Sequence, residues 1–126
     1  MFSDISLPLQ QAVLNAKATQ TPLKIVGGNS KSFYGRATDG QLLQIADHGG
    51  IINYEPSELV ITARAGTSLR ELSATLVRQG QCLAFDPPSF GETATLGGTI
   101  ACGFSGPARP YLGAARDFVL GVKCIN

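Results

Sequence analysis

Two glycine-rich stretches contain the residues of this chain with the clearest chemistry. The first runs from Gly27 to Ser30 (GGNS) and directly follows an apolar run that stops at Val26. A pyrophosphate needs several hydrogen-bond donors, and backbone N–H groups supply them where glycine lets the chain approach closely. Lys31 adds a positive charge and Ser32 adds a hydroxyl. The stretch therefore suits a bound phosphate, although a plain turn after a strand explains the same residues.

Two well-known phosphate motifs are absent from the first stretch. A P-loop ends in Gly-Lys-Ser or Gly-Lys-Thr after four spacer residues, and no such run occurs. The Rossmann fingerprint needs Gly-x-Gly-x-x-Gly leading into a helix, which is also missing. If this stretch binds phosphate, it does so in another way.

The second stretch runs from Thr93 to Gly106 (TATLGGTIACGFSG). Its small residues and hydroxyls suit a flat or extended cofactor that lies against the backbone. Two prolines, Pro87 and Pro88, stiffen the approach to it. A close-packed helix crossing needs the same small residues, so both interpretations stay open at this point.

Composition and charge exclude several classes of function. The 126 residues fit one domain, and 44% of them are apolar. The net charge of +1 comes without a basic stripe, which argues against a nucleic-acid partner. No apolar run has membrane-spanning length, and the first residues do not form a signal peptide. We therefore expect a cytoplasmic protein without a transmembrane segment.

The other residues that often carry chemistry have simpler interpretations. The lone His48 is expected in a loop, and Arg109 and Arg116 are interpreted as surface or structural arginines. The cysteines are far apart and odd in number, which argues against a disulfide framework and a metal site. We expect reduced thiols, mostly buried, at Cys82, Cys102 and Cys124.

The pattern along the chain predicts an α/β (α+β) fold. A helix is expected over 6–19, capped by Ser6, and a second one after Ser68, with Glu71 at capping-box spacing and Gly80 at its end. A small sheet of strands near 22–26, 42–46 and 59–63 should lie between these helices, with 51–54 and 59–63 forming a hairpin. Later elements are a strand or extended segment at 82–85, a short helix near Leu96, and a strand from Phe118 to Cys124.

The order of these motifs is more specific than any one of them. A strand ends in VGGNS, YEPSELVITARAGTSLREL forms the hairpin and helix, and QGQCLAFDPP and TLGGTIACGFSGP follow. This arrangement resembles the amino-terminal half of the FAD-binding domain of the vanillyl-alcohol oxidase and p-cresol methylhydroxylase (PCMH) family. The resemblance extends from Pro22 onward. Within the family, the run from EPSELV to DPP is most similar to the FAD-binding subunits of bacterial glycolate oxidases.

The resemblance implies FAD as cofactor and assigns contacts at matching positions. The pyrophosphate contacts would be Gly27, Gly28, Asn29, Ser30, Lys31 and Ser32. The contacts along the flavin side would be Pro88, Thr95, Leu96, Gly98, Thr99, Cys102 and Gly103. Some members attach FAD covalently through a histidine at the position of Asn29, so the resemblance implies non-covalent FAD here. The pair Cys102 and Gly103 departs from the family's pattern, which leaves the polar contacts there open.

The resemblance also implies a function and partners. We expect oxidation of glycolate or a similar 2-hydroxy acid, within a complex that includes an iron–sulfur subunit and could lie peripherally on the inner membrane. Residues 1–126 would be the amino-terminal part of a PCMH-type domain, without its second subdomain and substrate cap. Catalytic residues are expected in those parts, so none is named, and this chain by itself should be inactive. The alternative is a non-catalytic α/β fragment or assembly module, in which the glycines serve turns and packing.

Overall fold

In the part of the chain that the structure describes, one helix precedes four short strands, and three helices follow them. The computed structural model describes residues 4–126. The helices are α1 (Ser6–Thr19), α2 (Leu69–Val77), α3 (Leu96–Cys102) and α4 (Arg109–Leu112), and 3-10 turns occur at Pro56–Glu58 and Ala115–Asp117. The strands are β1 (Leu23–Val26), β2 (Gln41–Gln44), β3 (Ile51–Glu55) and β4 (Val60–Ala63). The predicted α+β class is confirmed.

The strands form two separate sheets instead of the single sheet that we predicted. Strands β1 and β2 pair in parallel, and β3 and β4 pair antiparallel as the predicted hairpin. The placement of the 59–63 strand beside the other two is therefore wrong. In a hairpin, each strand satisfies the backbone hydrogen bonds along one edge of its neighbour. The chain turns away after Ile45, so the hairpin of β3 and β4 does not pair with β1 and β2.

Residues 64–68, between β4 and α2, form a hub segment that contacts the loop after β2. The Gly66 N–H donates to the carbonyl oxygen of His48 at 2.7 Å. A side chain at Gly66 would overlap the carbonyl oxygen of Ile45, so only glycine fits this approach. The fully buried Thr67 accepts a hydrogen bond from the Gly50 N–H at 3.0 Å. Its hydroxyl lies 2.7 Å from the carbonyl oxygen of Arg64 and donates to it.

The same hub segment contacts the start of α3 on its other side. The Leu96 N–H donates to the carbonyl oxygen of Thr67 at 2.8 Å, and the Leu69 N–H donates to that of Ala94 at 2.9 Å. These two bonds enclose an antiparallel bridge between Ser68 and Thr95. The hub segment thus fixes the first turn of α2, the loop after β2 and the start of α3 relative to one another.

The ends of α2 match the sequence prediction. The Ser68 hydroxyl caps the helix by accepting from the Glu71 N–H at 3.1 Å. At the other end Gly80 has a left-handed φ of 67°. Hydrogen bonds from Gly80 to Val77 and from Gln81 to Leu76 complete a Schellman motif. The buried face of α2 consists of Leu69, Leu72 and Leu76 and belongs to a small hydrophobic core. The other residues of this core are Leu9, Ala16, Leu43, Phe85, Ala94, Ala114 and Ala115.

The start of α1 differs from the prediction. Ser6 is the first helical residue and not the cap. The Asp4 carboxylate instead accepts from both the Ser6 N–H and the Ser6 hydroxyl, and it lies 3.4 Å from the Arg64 guanidinium. The two hydrogen bonds from Ser6, followed by the charge of Arg64, lower the pKa of Asp4 from 3.8 to about 2.

The remaining predictions concern the strand after Phe118, the burial of the cysteines, His48 and residues 82–85, and their outcomes differ. Residues 118–126 form no strand, because the described residues offer them no neighbouring strand to accept their backbone hydrogen bonds. The cysteines are free, but Cys82 and Cys124 are exposed and Cys102 is half-buried, so they are not mostly buried. His48 lies in a turn, as predicted. The strand or extended segment predicted at 82–85 is not formed as a whole, because residues 84–85 lie in a turn in which the Asp86 N–H donates to the carbonyl oxygen of Leu83. Among the described residues, no helix is long and apolar enough to cross a membrane.

Replacing the buried hydroxyl of the hub segment should destabilise the protein. Thr67→Val keeps the shape of the side chain but leaves the half-buried Gly50 N–H without its acceptor. We expect the free energy of unfolding, measured by urea denaturation, to fall by about 2 kcal/mol. The control Thr62→Val makes the same change at an exposed position in β4 and should shift it by less than about 0.5 kcal/mol. Equal effects of the two substitutions would contradict this role of Thr67.

Asp4 should give the protein a measurable acid sensitivity. Its pKa in the folded state lies below the ordinary 3.8, so the ionised form stabilises the fold. That contribution is complete above pH about 4 and is lost as the pH falls towards about 2. We expect Asp4→Asn to lower the melting midpoint at pH 5 and to leave it nearly unchanged at pH 2. Asp39→Asn, at an exposed carboxylate, is the control, and an equal effect of Asp4→Asn at both pH values would refute the assignment.

Candidate functional site

The first glycine loop, residues 27–32, lies directly after β1 without regular structure. Asn29 has a positive φ of 56°, which turns the chain sharply. None of the N–H groups of residues 27–32 donates a hydrogen bond to another described residue. The loop therefore presents a run of backbone donors that the fold itself does not use.

The charges around this loop favour an anion. From Gly27 to Arg36 the chain contains two basic residues, Lys31 and Arg36, and no carboxylate. The Lys31 side chain is half-buried in the loop, and Asn29 is exposed. Uncommitted N–H groups beside a lysine form an arrangement that can bind phosphate oxygens.

The second glycine-rich stretch packs against this loop. A Cβ atom at Gly27 would lie 2.7 Å from the Oγ1 atom of Thr95, and one at Gly28 would overlap the carbonyl oxygen of Thr93. The two stretches that composition singled out are therefore brought together. Thr93, which we did not predict as a site residue, sets how closely they approach.

This contact corrects one expectation about Gly28. From the sequence alone, an aspartate at this position should repel a pyrophosphate and leave the fold intact. The structure shows that any side chain here would collide with the main chain of Thr93. Gly28 therefore has a packing role, whatever the loop binds.

The start of α3 keeps its backbone donors within the protein. The N–H groups of Leu96 and Gly97 donate to the carbonyl oxygens of the hub residues Thr67 and Ala65, each at 2.8 Å. The Thr95 hydroxyl accepts from the Gly98 N–H at 3.2 Å and so caps the helix. In this arrangement α3 offers no free first-turn donor, and the donors for an anion belong to the first glycine loop.

The other predicted residues lie around α3. Thr99 is 1% exposed, and its hydroxyl donates to the carbonyl oxygen of Thr95, so its side chain faces the protein interior. Pro88, Leu96 and Cys102 are half-buried, while Gly103 is exposed and ends α3 with a φ of 64°. Their assignment as flavin contacts stays a prediction.

Four aromatic rings that we did not predict as site residues also link the two stretches. The Phe33 ring lies 5.1 Å from that of Phe90, and the Tyr34 ring lies 4.6 Å from that of Phe104, both edge to face. Phe90 and Phe104 are 6.3 Å apart. These contacts hold the end of the first loop against both flanks of α3. The rings come from three separate places in the sequence, so no local pattern could have identified the cluster.

Two cavities in the described part of the chain lie away from the first glycine loop. One of about 450 Å³ lies between α2 and residues 82–94, where Arg70, Cys82, Asp86 and Glu92 line it. Another of about 440 Å³ lies beside the end of α1. Neither contains a residue of the first glycine loop. We place the candidate site at the loop, because unused donors and positive charge identify an anion site better than an open hollow does.

Adding one methyl group at Gly28 should disrupt this site. Gly28→Ala would force the loop away from Thr93, because main-chain atoms cannot yield as a flexible side chain can. We expect a loss of about 1–3 kcal/mol in the free energy of unfolding, measured by urea denaturation. Gly121→Ala is the control, since nothing lies within 4 Å of the added atom there. If Gly28→Ala proved as stable as the control, the contact between the two stretches would be refuted.

Comparisons with known proteins identify the family of this chain. The profile of the FAD binding domain family matches residues 8–126. The chain is 52% identical over 123 residues to glycolate oxidase subunit GlcE of Escherichia coli (strain K12), covering 98% of this chain and 35% of that protein. It is 29% identical over 89 residues to L-gulonolactone oxidase 3 of Arabidopsis thaliana, covering 70% of this chain and 15% of that protein. No solved structure matches the chain.

The family match is extensive, although the chain spans only about a third of the length of the bacterial relative. It includes both glycine-rich stretches and nearly all the described residues. FAD is the cofactor that the sequence predicted, and the match confirms it. The chain belongs to the FAD-binding domain family.

Proposed function

We propose that this chain is the FAD-binding portion of a flavoprotein oxidoreductase subunit that oxidises glycolate or a similar 2-hydroxy acid. The observation that carries the proposal is the first glycine loop, whose unused N–H groups lie against the second glycine-rich stretch. The choice of substrate rests on the 52% identity to a glycolate oxidase subunit.

In this proposal the residues of the chain bind and orient the cofactor. The N–H groups of residues 27–32 would donate to the pyrophosphate oxygens, and Lys31 would neutralise part of their charge. The flavin side would contact Pro88, Thr95, Leu96, Gly98, Thr99, Cys102 and Gly103. The hub segment holds the start of α3, which carries several of these residues, in place. Bound FAD supplies a hydride acceptor, and the protein positions it against the substrate.

We propose that FAD is bound without a covalent bond. Asn29 stands at the position of the histidine that attaches the flavin in some relatives, and its amide cannot act as that nucleophile. The side chain of Asn29 is exposed at the turn of the loop. It remains available to donate a hydrogen bond to the cofactor.

We also propose that further protein covers a large part of this surface. A compact protein of 13.2 kDa exposes about 6,400 Å², whereas this chain exposes 8670 Å². Large apolar side chains such as Tyr111, Leu120 and Val122 are more than two-thirds exposed. This surface suits a second subdomain, a substrate cap and other subunits of a glycolate oxidase complex, including an iron–sulfur subunit that receives the electrons. Such a complex would be cytoplasmic or peripheral on the inner membrane.

An FAD titration tests this function. We expect saturable, reversible binding that raises the melting midpoint, with about 2.7 kcal/mol of added stability at a ligand concentration of 100 times Kd. Lys31→Gln should weaken binding, and more so at low salt. Lys24→Gln, an exposed lysine on β1, is the control and should bind FAD like the wild type.

The outcomes separate the two proposed roles. A folded wild-type chain that FAD neither binds nor stabilises would refute the cofactor site and favour the non-catalytic module. In that module Gly27 and Gly28 serve only their contacts with Thr95 and Thr93. Binding that does not reverse on dialysis would refute the non-covalent part of the proposal.

A further inference from the structure

We infer that Gln44 is a positioning residue for the pyrophosphate site, because its side-chain amide fixes the orientation of the Gly27–Gly28 peptide. The inference rests on the proposed function. Gln44 belongs to neither glycine-rich stretch, and no sequence pattern connects it with the cofactor.

The contact that carries this inference joins β2 to the first glycine loop. The Nε2 atom of Gln44 donates to the carbonyl oxygen of Gly27 at 3.0 Å. Gln44 is the last residue of β2, and its partner in the sheet is Val26, the last residue of β1. The next hydrogen bond, from the Ile45 N–H to the carbonyl oxygen of Val26, is 2.8 Å long and keeps the two strand ends together. The sheet thus places the Gln44 side chain beside the first peptide of the loop.

Holding one carbonyl oxygen also sets the direction of the next N–H group. In a trans peptide the C=O and N–H bonds point in opposite directions, and no described peptide bond is cis. When Gln44 binds the carbonyl oxygen of Gly27, the Gly28 N–H must therefore point away from Gln44. A peptide between two glycines rotates more freely than any other, so this hydrogen bond removes an unusually large freedom.

The other contacts of the glycine pair do not have this effect. Thr95 and Thr93 lie close to the α-carbons of Gly27 and Gly28, so they limit where the chain passes. Rotation of the intervening peptide leaves both α-carbons in place, so these contacts do not fix its plane. The Gly28 N–H donates to no described residue and is left for an anion. Orienting it before the ligand arrives spares the cost of ordering it during binding.

The substitution Gln44→Met tests this role, because it keeps the length of the side chain and removes the donor. Gln41→Met is the matched control at the other end of β2, where the side chain is exposed. We expect Gln44→Met to raise the Kd for FAD about tenfold, and Gln41→Met to leave it unchanged. The melting midpoint without FAD should be the same in both variants. The ¹H–¹⁵N signal of Gly28 should shift only in Gln44→Met.

Each other outcome has a definite meaning. If both variants bind FAD like the wild type, the role of Gln44 is refuted and the proposed function stands. If Gln44→Met weakens FAD binding and also lowers the melting midpoint without FAD, Gln44 supports the fold and does not orient the peptide. If the wild-type chain itself does not bind FAD, the proposed function fails, and the role of Gln44 fails with it.

Discussion

The arrangement of this chain depends on hydrogen bonds that the main chain of the hub segment makes on two sides at once. On one side the N–H groups of Arg64 and Gly66 donate to the carbonyl oxygens of Gly50 and His48, in the loop that leaves β2. On the other side the hub segment accepts the first N–H groups of α3. The first glycine loop follows β1, which pairs with β2, so the hub segment indirectly sets the distance between the two glycine-rich stretches. Backbone contacts of this kind depend little on side-chain packing, which suits a domain with a small core.

The two glycine-rich stretches therefore have different physical roles, although their compositions are alike. In the second stretch the N–H groups at the start of α3 and the hydroxyls of Thr95 and Thr99 are already hydrogen-bonded within the protein. In the first stretch Gly27 and Gly28 allow close packing, while the loop keeps its N–H groups unbonded. Under the proposed function, the close packing of Gly27 and Gly28 and the hydrogen bond from Gln44 would position the start of the loop before an anion arrives. The affinity of the site would then depend less on ordering the loop.

Features encoded within a few residues could be predicted from the sequence, and features that depend on distant contacts could not. The cap at Ser68 and the left-handed Gly80 follow from local backbone rules, and both were predicted correctly. The division into two sheets and the lack of a strand after Phe118 depend on which strands meet in space. The collision that reserves position 28 for glycine depends on Thr93, which lies far along the chain. The residues of both stretches were predicted from composition and resemblance, whereas the hydrogen bonds that distinguish the two stretches became visible only in the structure.

The most direct test of the account is to follow the backbone ¹H–¹⁵N signals of the chain during an FAD titration. The account predicts that the signals of residues 28–32 shift saturably, because their N–H groups gain acceptors. The signals of Leu96 and Gly97, whose N–H groups are already bonded to the hub segment, should shift less. Unchanged signals at residues 28–32, with shifts instead around the cavity beside α2 at Ser73 and Cys82, would contradict it.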